Sequence, residues 1–280
     1  MKPASFDMVR PRTLDEALLA LQEADDAKII AGGQSLVPSM NFRLAAPALL
    51  VDLNAVAGLS GVCRDEGRLI IGAMTRQATL LKDVFIAEHA PLIAQAVSHV
   101  GHVQTRSRGT IGGSLVHFDP SAELPLSMVV LGAQITLARF GSRRSIPAAE
   151  FFLDALTTAI EPDEILIEIA IPIAPSGMRS TFREYAYRHG DFALVSIAAQ
   201  AHGSELALGI GGLASVPLRC RAIEDAYAGG LIEASALDSL IESDLDAVDA
   251  LGDLHASAAY RKRLASVLIR SALDDLRGAA

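Results

Sequence analysis

Two short glycine-containing segments place the tightest limits on how this chain can fold. Residues 28–40 read KIIAGGQSLVPSM, and residues 109–125 read GTIGGSLVHFDPSAELP. Glycine adopts positive φ and lets another backbone or a ligand approach closely. Successive N–H groups that point into one concavity bind an anion such as phosphate. With the Ser35 and Ser114 hydroxyls as further donors, the pattern predicts two loops, each following a strand, that hold a pyrophosphate or the groups beside it.

Each glycine pair taken alone is more typical of a tight turn, because glycine is the usual turn residue. The second pair is followed shortly by two acidic residues, Asp119 and Glu123. Two such segments and two nearby carboxylates in one chain favour a ligand site over two unrelated turns.

The sequence lacks the residue spacing that other common ligand-binding and catalytic motifs require. No P-loop sequence is present, and no nucleophile elbow activates a serine. The segment GIGGLA at 209–214 has the spacing of a dinucleotide fingerprint, but Pro217 follows where the first helical turn would lie, so we predict a closely packed strand. His99 and His102 lack a third metal ligand nearby in the sequence and are more typical of a polar surface.

Composition narrows the class of protein. The chain has 280 residues, 51% hydrophobic and 20% charged, which is an ordinary globular balance. Its net charge of −9 argues against a nucleic-acid partner. No signal-peptide pattern and no membrane span is predicted. Cys63 and Cys220 are far apart in the sequence, so we expect free thiols, no iron–sulfur centre in this chain and a cytoplasmic location.

The pattern of apolar residues predicts an N-terminal βαβ-like unit, with a helix that starts at Thr13 and strands at 28–31 and 49–53. A second part then carries a strand and turn at 67–75, helices from about 79, at 91–100 and at 122–131, and strands at 133–140 and 165–171. The cluster of Pro and Gly at 172–177 predicts a domain boundary. Beyond it we expect strands at 181–187, 194–202 and 205–212, and then helices from Cys220 onward with breaks at Gly229-Gly230 and near Gly252.

An ordered set of segments carries a family resemblance over nearly the whole chain. AGGQSLVPSMNFRL, LVDLN, IGAMT and TIGGSLVHFDPSAELP are followed by EPDEILIEIAIP, FREYAYRHGDFALVSIAA and LGIGGLASVPLR. Together they resemble the FAD-binding medium subunits of the molybdenum hydroxylases, such as carbon monoxide dehydrogenase and xanthine dehydrogenase. The resemblance implies an α+β fold. Residues 1–175 would form a PCMH-type FAD-binding domain, with subdomains at about 1–55 and 56–175. Residues 178–280 would form a C-terminal α+β domain, with a three-stranded antiparallel sheet plus helices.

The resemblance also implies a set of FAD-binding residues. The first glycine loop would wrap the pyrophosphate with backbone amides, and the second would support the pyrophosphate and ribityl region. Asp119 and Glu123 would accept hydrogen bonds from flavin-side hydroxyls, and Leu166 and Arg183 fall where the family has further contacts. The first loop comprises Ala31, Gly32, Gly33, Gln34, Ser35 and Leu36, and the second Thr110, Ile111, Gly112, Gly113 and Ser114.

Several positions near the implied flavin site differ from other family members or bear on how the flavin is held. Many members of the family have His where this chain has Gln34. Animal members place an aromatic near the flavin at what aligns with Val100, and here Phe192 is the predicted neighbour of the ring. His117 is the one nearby residue that would bond a flavin covalently, and because no His or Cys lies inside either glycine loop, we expect noncovalent FAD.

The implied function is electron transfer. A large subunit with a molybdopterin cofactor would hydroxylate a heteroaromatic or aldehyde carbon, and a small subunit with 2Fe-2S clusters would pass the electrons to FAD on this chain. The flavin would deliver them to an external acceptor, so the chain needs no catalytic acid or base of its own. We expect a heterotrimer or a dimer of heterotrimers. Two alternatives are a free-standing PCMH-type flavoprotein oxidase and a structural subunit without flavin.

Overall fold

The computed structural model describes residues 2–227 and 232–278. It is an α+β structure in which three main sheets of three, five and four strands are surrounded by helices. No helix in this described part of the chain is long and apolar enough to cross a membrane.

The N-terminal part is a small parallel sheet with the strand order β1-β3-β2. Thr13 starts its first helix as predicted, because the threonine side chain accepts a hydrogen bond from the Glu16 amide. The edge strand β1 was not predicted, since all three of its residues are exposed and carry no apolar alternation. The elements are β1 (Asp7–Val9), α1 (Leu14–Glu23), β2 (Ala27–Ile30), α2 (Leu36–Asn41) and β3 (Leu49–Asp52).

The middle part is built on an antiparallel sheet with the order β4-β5-β10-β6-β7, packed against helices. Its strands are β4 (Val62–Asp65), β5 (Arg68–Gly72), β6 (Gln134–Arg139), β7 (Ser142–Pro147) and β10 (Ile165–Pro172), with a small hairpin of β8 (Phe152–Asp154) and β9 (Thr157–Thr158). Its helices are α3 (Gln77–Leu80), α4 (Val84–His89), α5 (Pro91–His99), α6 (Val103–Arg108), α7 (Ile111–His117), α8 (Glu123–Val130) and α9 (Ala148–Phe151).

The C-terminal part has a fourth strand that the sequence pattern did not predict. The short strand β14 pairs with β13 opposite Gly209 and Ile210, and two residues are too few to show an alternating pattern. The predicted three-stranded sheet is therefore corrected to four strands. The elements are β11 (Arg179–Tyr185), β12 (Val195–His202), β13 (Glu205–Gly211), β14 (Leu218–Arg219), α10 (Arg221–Ala226), α11 (Ala234–Asp246) and α12 (Ala258–Gly278). The break near Gly252 is confirmed between α11 and α12, whereas the break at Gly229-Gly230 lies outside the described residues.

Helix α8 lies between helices of the middle part and the C-terminal sheet. All eight of its residues are buried, and it packs against β12 and β13. The predicted closely packed strand is confirmed in β13, where a Cβ on Gly209 would lie 2.8 Å from Val130 Cγ2 and 2.9 Å from Leu126 Cδ1. Any side chain on α8 is thereby removed from water, including the acidic residue at its start.

Candidate functional site

A cavity of about 1110 Å³ opens where the three parts of the chain meet. The N-terminal part contributes the first glycine loop, the middle part contributes α7 and the start of α8, and the C-terminal part contributes residues 190–192. Its volume lies just above the range of about 300–1,000 Å³ that is usual for ligand pockets. The cavity is therefore large enough for a dinucleotide-sized ligand.

The first glycine loop presents a row of free backbone donors to this cavity. The loop leaves β2 after Ile30, Gly33 adopts φ +72°, and α2 begins at Leu36. Within the described residues, none of the five successive amides at 32–36 donates a hydrogen bond to the chain. Unpaired amides in a cavity wall need a partner, and a row of them suits an anionic group.

The loop is held close to the middle part of the chain. A Cβ on Gly32 would overlap the Arg108 carbonyl oxygen and lie 2.8 Å from the Gly109 Cα, so only glycine fits there. The two glycine segments are therefore neighbours in space, as their predicted joint role requires.

The second glycine segment differs from its predicted form. It does not follow a strand and is not an open loop, because Gly112 and Gly113 lie in the first turn of α7. Thr110 caps this helix by accepting a hydrogen bond from the Gly113 amide at 3.1 Å, and the Gly112 amide donates to the Ala73 carbonyl at 2.8 Å. The amides at 111–114 are therefore already paired within the chain, and the segment serves as a wall of the cavity.

Close packing explains the glycine at position 112. A Cβ there would lie 2.7 Å from the Ala73 Cβ and 2.8 Å from its carbonyl oxygen. Gly112 thus lets α7 approach the end of β5, while Gly113 and Ser114 line the cavity. The polar group that this segment offers a ligand is the Ser114 hydroxyl.

Two acidic side chains, Asp119 and Glu123, line the cavity. Asp119 accepts a hydrogen bond from the Ser121 amide through Oδ1 at 2.9 Å, which leaves its second oxygen without a described partner. Glu123 is only 7% exposed and makes no side-chain hydrogen bond with another described residue. Burial, together with the nearby charges of Glu184 and Asp119, raises the pKa of Glu123 to about 8. Glu123 is therefore mostly protonated at neutral pH and presents an O–H donor, whereas the sequence predicted an acceptor.

Comparison with known proteins bears on what the cavity holds. Residues 4–174 match the model of the FAD binding domain in molybdopterin dehydrogenase, and residues 180–276 match the CO dehydrogenase flavoprotein C-terminal domain. The chain belongs to the FAD-binding medium subunits of the molybdenum hydroxylase family.

Relatives in this family align along nearly their whole length. Subunit alpha of the 6-hydroxypseudooxynicotine dehydrogenase complex from Paenarthrobacter nicotinovorans is 35% identical, over 98% of this chain and 95% of the relative. The carbon monoxide dehydrogenase medium chain of Afipia carboxidovorans is 33% identical, over 100% of this chain and 99% of the relative. A chain in the crystal structure of quinoline 2-oxidoreductase from Pseudomonas putida 86 superposes with a TM-score of 0.94 at 33% identity, covering 100% of this chain and 99% of that one.

Most of the residues predicted to bind FAD line the cavity of this FAD-binding subunit. They come from all three parts of the chain, and Phe192, although 69% exposed, stands at the cavity wall. The residues brought together are Ala31, Gly32, Gly33, Gln34, Ser35, Leu36, Thr110, Gly112, Gly113, Ser114, His117, Asp119, Glu123, Leu166 and Phe192.

Two predicted residues lie elsewhere. Ile111 is fully buried in the core of the middle part, because it points away from the cavity side of α7. Arg183 forms a two-pronged ion pair with Asp275 of α12, at 2.7 and 2.5 Å, and does not line the cavity. The ion pair with Asp275 neutralises the charge of Arg183. Because Asp275 lies 92 residues away in the chain, the local sequence around Arg183 could not predict this pairing.

Further residues that were not predicted to bind FAD also line the cavity. Gln77 is 4% exposed, lines the cavity and has an Oε1 atom without a partner in the described chain. Val100 lines the cavity beside Gly101, so the wall there includes both Val100 and Phe192. Gly190 adopts φ +87°, and a Cβ there would lie 2.7 Å from the His102 ring, which fixes the loop that carries Phe192. In the sequence, the feature that could have indicated this loop is the single Gly190 two residues before the aromatic Phe192.

Proposed function

We propose that this chain holds FAD noncovalently in the described cavity and transfers electrons from the 2Fe-2S clusters of a partner subunit to an external acceptor. The row of five free amides at 32–36 carries the proposal, because it offers a binding site for the FAD pyrophosphate next to a cavity of sufficient size. The family membership supports the choice of FAD over other dinucleotides.

The chain's own residues have separate tasks in this proposal. The amides at 32–36 would bind the pyrophosphate, and the free carboxylate oxygen of Asp119 would accept a hydrogen bond from a flavin-side hydroxyl. Protonated Glu123 would donate a hydrogen bond, and Val100, Leu166 and Phe192 would cover apolar ring surface. The flavin itself supplies the redox chemistry when bound.

The remaining subunits follow from the relatives by analogy. We propose a large molybdopterin subunit and a small 2Fe-2S subunit, assembled as a heterotrimer or a dimer of heterotrimers in the cytoplasm. Relatives are named as a complex subunit and as medium chains, which supports partner subunits. The chain aligns with 95% and 99% of the lengths of these two relatives, which supports the same place in a complex.

Hydrogen–deuterium exchange with and without FAD tests the binding site. If the pyrophosphate occupies the amide row, the amides at 32–36 become protected on addition of FAD, while the amide of Gly113, already bonded to Thr110, changes much less. Acid precipitation should then release the flavin into the supernatant. Absence of flavin absorption in the purified chain, with no uptake of added FAD, would favour the structural subunit instead.

A further inference from the structure

A polar side chain links the first glycine loop to the segment after β3. Asn54 donates from Nδ2 to the Ala31 carbonyl at 2.9 Å. The buried Asp52 carboxylate fixes the asparagine, since it accepts from both the Asn54 amide and the Asn54 side chain. The start of the amide row at 32–36 is therefore fastened to Asn54.

Arg76 connects this asparagine to the middle part of the chain. One guanidinium nitrogen donates to Asn54 Oδ1 at 2.5 Å, and another donates to the Arg108 carbonyl. The same carbonyl is the atom that Gly32 approaches most closely. Arg76 thus joins the two sides of the contact on which the first glycine loop rests.

Arg76 lies beside a second positive charge. Burial and the positive charge of Arg108 lower the pKa of Arg76, which Asp52 only partly offsets. Two guanidinium groups near each other and near free amides make a positive environment. The hydrogen bonds to Asn54 and to the Arg108 carbonyl therefore hold Arg76 in place against that repulsion.

We propose that Arg76 and Asn54 are positioning residues that preform the amide row by clamping the first glycine loop against the Arg108–Gly109 backbone. The inference rests on the proposed FAD function, but neither side chain lines the cavity, so both act through the loop. Arginine suits this task because its planar fork bonds two acceptors at fixed angles.

The test compares FAD dissociation constants of apo-proteins carrying Arg76→Ala, Asn54→Ala, both changes, or Arg108→Ala. Arg108→Ala is the matched control, because it removes an exposed positive charge from the same place and leaves the carbonyl that Arg76 holds. We expect each clamp variant to bind FAD about tenfold or more weakly, as loss of charged hydrogen bonds implies. The double variant should lose little more than either single one, since both changes break one connection. The control should change by less than about threefold.

Because Asn54 is uncharged, the Asn54→Ala variant distinguishes positioning of the loop from electrostatic attraction between arginine and FAD. Equal losses in Arg76→Ala and Arg108→Ala, with parental binding in Asn54→Ala, would show that only charge matters and would overturn the proposal. Parental binding in all variants would also overturn it. If the parent itself binds no FAD, the proposed function has failed instead.

A readout without FAD checks the loop directly. The Val37 amide donates to the Gly33 carbonyl at 3.1 Å and reports on the loop's closing turn. In apo-protein, its hydrogen exchange should accelerate in Arg76→Ala and Asn54→Ala, and Arg76→Lys should restore part of the protection because lysine keeps donors in the same region. Unchanged exchange in both clamp variants would contradict preorganisation of the loop.

Discussion

At the scale of single residues, Glu123 gives the sharpest pH-dependent expectation. Its pKa is raised from 4.5 to about 8 in the folded apo-protein, chiefly by burial. Between those pH values the folded state keeps a proton that the unfolded chain has lost. The free energy of unfolding should therefore fall as pH rises from about 4.5 to 8, by at most about 1.4 kcal/mol per pH unit.

Replacement of Glu123 by Gln removes this difference in proton binding between the folded and unfolded states. Urea unfolding of apo Glu123→Gln should show a flatter dependence on pH over the same window, with the largest gain in stability over the parent above pH 8. Glu150→Gln, at an exposed position on α9, is the control and should keep the parental slope. A parental slope in Glu123→Gln would mean that the carboxyl group is ionised in the folded protein.

Asp119 permits a second test at this scale. Its Oδ1 holds the Ser121 amide, and its other oxygen is available to a ligand hydroxyl. Asp119→Ala should weaken FAD binding by about one to two decades, because a buried hydroxyl without a partner costs about 1–3 kcal/mol. Asp119→Asn keeps the size of the side chain and, through its one oxygen, the bond to the Ser121 amide, while an NH2 group replaces the second acceptor oxygen. It should therefore lose less affinity than Asp119→Ala. The idea is falsified if apo-proteins with Ala and with Asn both bind FAD as tightly as the parent.

At the scale of elements, the two glycine pairs should respond differently to a side chain. Gly33 has φ +72°, where a Cβ costs about 1–2 kcal/mol, and it lies in the amide row. Gly33→Val should therefore lower FAD occupancy while the C-terminal sheet stays folded. At Gly112 the obstacle is Ala73, so Gly112→Val should lower the free energy of unfolding by about 1–3 kcal/mol.

Thermal unfolding and FAD titration of the two variants, side by side, separate these effects. The expected pattern is a larger loss of FAD affinity in Gly33→Val and a larger loss of stability in Gly112→Val. The same loss of affinity in both, without any loss of stability, would restore the view that both pairs approach the ligand directly.

Local signals explain how much of these elements the sequence could predict. The Thr13 cap and the positive φ of Gly33 depend on neighbouring residues and were foreseeable. Two glycines in a helix oppose local propensity. Position 112 of α7 requires glycine because Ala73, far away in the chain, leaves no room for a side chain. The raised pKa of Glu123 could not be predicted for a related reason, because its burial depends on the C-terminal sheet that packs on α8.

At the scale of the whole molecule, the cavity needs all three parts of the chain. The amide row belongs to the N-terminal part, the acids to the middle part and Phe192 to the C-terminal part. The C-terminal sheet reaches the middle part through α8, and the Gly212 amide donates to the Pro120 carbonyl at 3.0 Å, next to Asp119. This contact therefore fastens the segment that carries Asp119 to the C-terminal part of the chain.

The last prediction concerns the source of the electrons. A 2Fe-2S cluster takes four ligands, usually cysteines, and this sequence has two cysteines, of which Cys220 is buried and Cys63 exposed. A partner must therefore supply the clusters if the chain transfers electrons as proposed. Native mass spectrometry of the complex should find this chain with a molybdopterin subunit and a 2Fe-2S subunit.

Flavin reduction in the isolated chain provides the control for that assembly. Substrate of the complex should bleach the flavin in the intact assembly and leave the FAD-loaded single chain yellow, because the single chain has no route from substrate to flavin. Addition of the two missing subunits should restore bleaching. Substrate-dependent reduction of the single chain would instead identify a free-standing oxidase, and a complex without further subunits would remove the proposed place of this chain in electron transfer.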